Sequence, residues 1–108
     1  MTTVEDAYST MGDVAELDDF QVVPYYVADI KRRISVTRID DVLYAFDDLC
    51  SEHGSPLSAG LLTDTTLMCQ CGGCRWNVTT GELLRGPAQH PLRMYPVREH
   101  SGKVQIQV

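Results

Sequence analysis

The sequence predicts an all-β fold, a small antiparallel barrel or sandwich with two metal-binding loops at one end. Three observations predict it. Short runs of β-branched and aromatic residues recur along the chain, separated by turn-forming residues. No stretch of ten or more residues carries a convincing 3.6-residue period. All four cysteines fall in two short segments, Cys50 and Cys69–Cys74.

Residues 1–13 are polar and acidic and read as a flexible lead-in, with the domain proper over 14–108. Val22, Val23, Tyr25, Tyr26 and Val27 predict a first strand, and Pro24 within it predicts an edge position or a bulge. Residues 33–39 alternate polar and apolar, the pattern of a half-buried strand. Asp40-Asp41 then turns the chain into Val42-Leu43-Tyr44-Ala45-Phe46, which makes a hairpin with Val42, Tyr44 and Phe46 facing the core. Gly54, Pro56 and Gly60 break regular structure around the first cysteine segment. Leu67-Met68 leads as a strand into the second. Trp76-Asn77-Val78 and Leu83-Leu84 flank Thr79-Thr80-Gly81-Glu82 as another hairpin. After three prolines and Met94-Tyr95, Ser101-Gly102 turns into a strictly alternating last strand over 103–108.

The 108 residues set a single domain with one modest core. A net charge of −6 argues against nucleic acid, which needs clustered Lys and Arg. It fits either a surface charged for solubility or one that meets basic partner faces. No stretch approaches the roughly 20 apolar residues that span a bilayer, and the first residues carry no secretory pattern. The cytoplasm is therefore the expected compartment, where thiols stay reduced and metal binding is favoured over disulfides.

The first segment, Cys50-Ser51-Glu52-His53, offers one thiol and one imidazole. The second, Cys69-Gln70-Cys71-Gly72-Gly73-Cys74, offers three thiols. Soft thiolates select zinc, copper(I) or iron–sulfur clusters over hard cations. His90 and His100 read as surface loop histidines, Trp76 as core beneath the ligand loops, and Lys31-Arg32-Arg33 as a solvated turn. Nothing in the chain reads as a phosphate loop, a Ser–His–Asp arrangement or an acid–base pair.

From about Val14 to Val108 the chain resembles the Rieske-type ferredoxins that serve bacterial oxygenases. The resemblance rests on Val14-Ala15-Glu16-Leu17, residues 42–50, Pro56-Leu57-Ser58-Ala59-Gly60, Trp76-Asn77, Thr80-Gly81, Gly86-Pro87-Ala88 and Tyr95-Pro96-Val97. That family holds its 2Fe–2S cluster with Cys-x-His in one loop and Cys-x-x-His-Gly in the other, both histidines on one iron. Cys50 and Cys69 match its two cysteines. Its histidine positions carry Glu52 and Gly72 here. His53 lies one residue late, Cys74 stands where a small polar residue is usual, and Cys71 takes a place used for a loop disulfide in respiratory Rieske proteins. The expected partner position for that disulfide is Ser55.

The resemblance implies a Rieske-like barrel and a 2Fe–2S cluster held by Cys50 and Cys69 on one iron and His53 and Cys74 on the other. Cys71 can replace Cys74 in that set. A second scheme leaves Cys69 out and forms a closed tetrahedral site for zinc or a single iron from Cys50-x-x-His53 and Cys71-x-x-Cys74. A third has no metal, with the cysteines buried as small apolar residues. The resemblance further implies a monomeric one-electron carrier between a reductase and a terminal oxygenase. A nitrite-reductase-like small subunit and a structural interaction module are the alternatives.

Overall fold

Alternating hydrophobicity and tight polar turns make this chain fold as strands, and strands need partners on both edges and cover on their apolar faces. The computed structural model describes residues 8–28, 30–49, 56–70, 73–86 and 90–107. Among these are eleven strands: β1 (Tyr8–Asp13), β2 (Val22–Val27), β3 (Arg32–Ile39), β4 (Val42–Asp47), β5 (Leu61–Thr63), β6 (Thr66–Met68), β7 (Arg75–Asn77), β8 (Leu83–Arg85), β9 (Met94–Tyr95), β10 (Val97–His100) and β11 (Lys103–Gln107). They form three antiparallel sheets, β1-β11-β10, β2-β3-β4-β9 and β5-β6-β7-β8.

The central hairpin forms where the sequence predicts it. Asp40 and Asp41 both have positive φ (52° and 66°), the geometry of a two-residue hairpin turn whose twist matches the flanking strands. Pro24 sits in β2, an edge strand, where its missing N–H costs no ladder bond.

Both faces of this sheet are covered, and that corrects two expectations. β3 is not half-buried: Ile34, Ser35, Val36 and Thr37 are all fully enclosed. One face packs Ile34, Val36 and Ala45 with Leu17, Val104 and Ile106, a core shared with the β1-β11-β10 sheet. The other packs Ile39 and Phe46 with Leu57, Leu67, Trp76, Val78 and both described cysteines. Val42, expected in the core with Tyr44 and Phe46, lies at the turn and is 49% exposed.

Residues 8–13, grouped by composition with the lead-in, form β1 and pair with β11 through a bulge between Thr10 and Gly12. Residues 1–7 lie outside the described set. His100 ends β10 rather than lying in a loop, and is exposed. Among the described residues no helix is long and apolar enough to cross a membrane.

Candidate metal centre

The second cysteine segment is the connection between β6 and β7. Met68 pairs with Arg75, and just beyond that pair the amide of Cys69 donates to the carbonyl of Cys74 at 2.9 Å. The strand ladder thus continues to the base of the loop and fixes the two cysteines opposite one another. Cys69 is 1% exposed and Cys74 fully buried, against Phe46, Leu57, Leu67 and Trp76. Trp76 lies beneath the loop as expected, 1% exposed, and its indole N–H donates to the carbonyl of His90 at 3.3 Å. His90 itself is exposed.

Two glycines let neighbouring backbone close on this loop. Gly60 has no side chain where a Cβ would come within 2.2 Å of the Met68 carbonyl. Gly86, at φ +117°, follows β8, where a Cβ would meet the Gly73 carbonyl at 2.0 Å and the Cys74 Cα at 2.6 Å. Only glycine combines that φ with that approach.

The strand that delivers Cys50 is anchored by Asp48. Its carboxylate is fully buried and fully bonded. Ser35 Oγ donates to Oδ1 at 2.7 Å and the Ser58 amide to the same oxygen at 2.8 Å. Arg33 Nε donates to Oδ2 at 2.9 Å and Nη2 stands 2.8 Å from it. The Asp48 carbonyl accepts from the Leu57 amide, and Leu49 bridges Pro56. One carboxylate therefore ties β3, the end of β4 and the turn at 57–59 together on either side of the first ligand segment. This network escapes sequence reading because its members are far apart along the chain. Asp48→Ala is expected to cost about 2–3 kcal/mol, since the Ser35 and Ser58 donors lose their acceptor while half-exposed Arg33 turns to solvent. Its midpoint in urea against wild type checks this.

Asp47 points the other way and holds a second cluster. Tyr95 Oη donates to it at 2.7 Å and Arg32 Nη1 at 3.1 Å. Burial, then the bond to Asp47, push the Tyr95 phenol above its ordinary pKa, so it remains a donor at neutral pH. Arg93 lies over the Tyr95 ring, 5.5 Å from its centre.

Cys50 and His53 lie outside the described residues, as do Cys71, Glu52 and Gly72. Among the described residues no three candidate ligands converge. Cys69 is disulfide-bonded in the structure, which corrects the expectation that metal binding is favoured over disulfides here; a metal-holding form needs Cys69 reduced. Soft thiol donors at the base of an apolar-walled loop fit an iron–sulfur group better than any hard cation.

A cysteine-bearing hairpin connection between β6 and β7, closed over an apolar core of short antiparallel strands, is the feature that sets the class of domain. The match to known families is direct: the Rieske [2Fe-2S] domain covers residues 8–96. The chain belongs to that family. The anthranilate 1,2-dioxygenase ferredoxin subunit of Burkholderia cepacia is 35% identical over 78 residues, 72% of each chain. The 3-phenylpropionate/cinnamic acid dioxygenase ferredoxin subunit of Photorhabdus laumondii is 34% identical over 76 residues, 69% of this chain and 72% of that one. Among solved structures, Sphingomonas yanoikuyae B1 ferredoxin superposes with a TM-score of 0.86 at 26% identity, covering 94% of this chain and 98% of its own. The Rieske-like fold expected from the resemblance is thereby established.

Proposed function

We propose that this chain is a one-electron carrier holding a 2Fe–2S cluster, passing electrons from a reductase to a terminal oxygenase in the cytoplasm. The observation that carries this reading is its match to ferredoxin subunits of dioxygenase systems over nearly three quarters of both chains. When bound, such a cluster accepts and releases a single electron. The chain's own part is to hold it at the end of the β-scaffold, walled by apolar side chains. Iron and labile sulfide near two each in brown, purified protein test the reading. A colourless protein with one zinc would support the two-knuckle structural site instead, an alternative that Glu52 and Gly72 at the family's histidine positions keep in play.

The proposed ligands are Cys50, Cys69, His53 and Cys74. Cys71 is the alternative to Cys74 in that set. Cys71→Ala is expected to leave iron content near normal, whereas Cys74→Ala loses it. The reverse result transfers the role to Cys71.

Replacing one of two imidazoles by a thiolate adds negative charge beside the iron and disfavours reduction. Two-histidine clusters lie at roughly −150 to +300 mV and four-cysteine plant-type clusters near about −400 mV. The potential of this protein is expected between those ranges, measured by voltammetry. Its pH dependence is expected to show one ligand ionisation, and two coupled ionisations would refute the single-imidazole set.

A further inference from the structure

A sulfur–sulfur bond stands among the candidate ligands. Cys69, the residue that follows β6, is disulfide-bonded and 1% exposed. Its mate can only be another cysteine, and the chain has four in all. Each of the other three, Cys50, Cys71 and Cys74, stands in one or both of the ligand sets set out above. The bond therefore disables every metal scheme. The 2Fe–2S set loses Cys69, and the two-knuckle set, which leaves Cys69 out, loses its mate. The thiolate is what binds metal, and a sulfur tied into a disulfide has no such charge to give.

The oxidised state is nevertheless a folded one. With the bond in place the amide of Cys69 donates to the Cys74 carbonyl at 2.9 Å, Met68 is paired with Arg75 and Leu67 with Trp76. These are backbone pairings, which sulfur chemistry leaves alone. Phe46, Leu57, Leu67 and Trp76 pack in the same core as Cys69. A disulfide is neutral and apolar, so this enclosure takes it without burying a charge. Opening the bond yields two thiols inside a frame already built. Two chemical states on one scaffold are what a switch requires.

Compartment decides what such a bond is for. In a secreted protein it would be a permanent staple. In the cytoplasm proposed above thiols are kept reduced, and the disulfides that do occur there are usually transient, serving catalysis or redox sensing.

We propose that the Cys69 disulfide is a reversible switch on metal loading, and that a dithiol reductant opens it. One thiolate of the reductant attacks a sulfur of the bond and forms a mixed disulfide. Its second thiol displaces that link, and the reductant leaves as a cyclic disulfide. Two electrons and two protons pass to the protein, giving two cysteine thiols that shed their protons as they take metal. In reverse, dioxygen accepts the two electrons and two protons, leaves as hydrogen peroxide and closes the bond. What the switch admits rests on the carrier reading above; that it is a switch rests on the disulfide.

Thiol counting and metal loading test this on the full chain, purified in air and freed of metal by a chelator. Alkylation in denaturant, read by mass, is expected to add at most two groups before dithiothreitol and four after it. Cys69→Ser is expected to take three groups without dithiothreitol. The native protein, with or without prior reduction and with the reductant removed, is then given ferrous iron and sulfide, or zinc alone, under nitrogen. Reduced protein is expected to reach about two irons per chain, and untreated protein close to none. Zinc taken up only after reduction, with no brown colour from iron and sulfide, overturns the carrier reading and leaves the switch standing. Four groups added before dithiothreitol, a Cys69→Ser variant that takes only one, or equal metal uptake with and without reduction overturns the switch.

Discussion

Cys69→Ser protein is expected to be colourless, with iron and labile sulfide near zero, yet folded. Cys69 is one of the two residues that match the cysteines of the family pattern, and serine offers a hard oxygen that iron–sulfur centres accept poorly. The site is also closed: at 1% exposure, the serine hydroxyl has no water to bind and becomes a buried polar group, costing about 1–3 kcal/mol. The hairpin base survives, because the Cys69–Cys74 hydrogen bond is between backbone atoms. Visible absorption and metal content, read beside circular dichroism, separate the two effects. Colour retained in this variant would refute the cluster assignment. One zinc retained would instead favour the site built from Cys50, His53, Cys71 and Cys74.

Gly86→Ala is expected to have the next largest effect, on the order of 3 kcal/mol or more, with loss of bound iron. Its φ of +117° excludes a Cβ on conformational grounds alone. The 2.0 Å approach to the Gly73 carbonyl adds a clash with backbone that cannot rotate away. Relief requires the end of β8 to separate from the second ligand loop, which moves Cys74. Chemical denaturation gives the stability change, and iron per chain gives the damage to the site. A variant with wild-type values in both would show that the loop tolerates this displacement.

Legibility in the sequence followed the range of the forces involved. The Asp40-Asp41 turn, the β3–β4 hairpin, the β7–β8 hairpin and the last strand are local, set by alternation and turn chemistry, and each forms where the residues place it. β1 was not legible. Its sequence, Tyr-Ser-Thr-Met-Gly-Asp, has no alternation, and it becomes a strand because β11 offers an edge 90 residues later. β5 is three residues long and follows from Gly60 and the pairing with β6 rather than from its own composition. The burial of Ser35 and Thr37 breaks the usual reading of a polar stripe as solvent-facing. Ser35 is enclosed because Asp48 supplies its partner, which no spacing rule reveals.

At the site, Cys50 and Cys69 match the family's two cysteines by position in the sequence, while Glu52 and Gly72 stand where its two histidines would mark the other ligands.

The central sheet is a wall between two separate cores, with Ala45 facing one and Phe46 the other. Such a wall divides cooperativity. The cysteine side, built on three-residue strands, can loosen and surrender its iron while β1, β10 and β11 keep the opposite face sealed. A chain that loses its iron would then lose order on the cysteine side first, with the β1-β11-β10 side still folded behind the sheet.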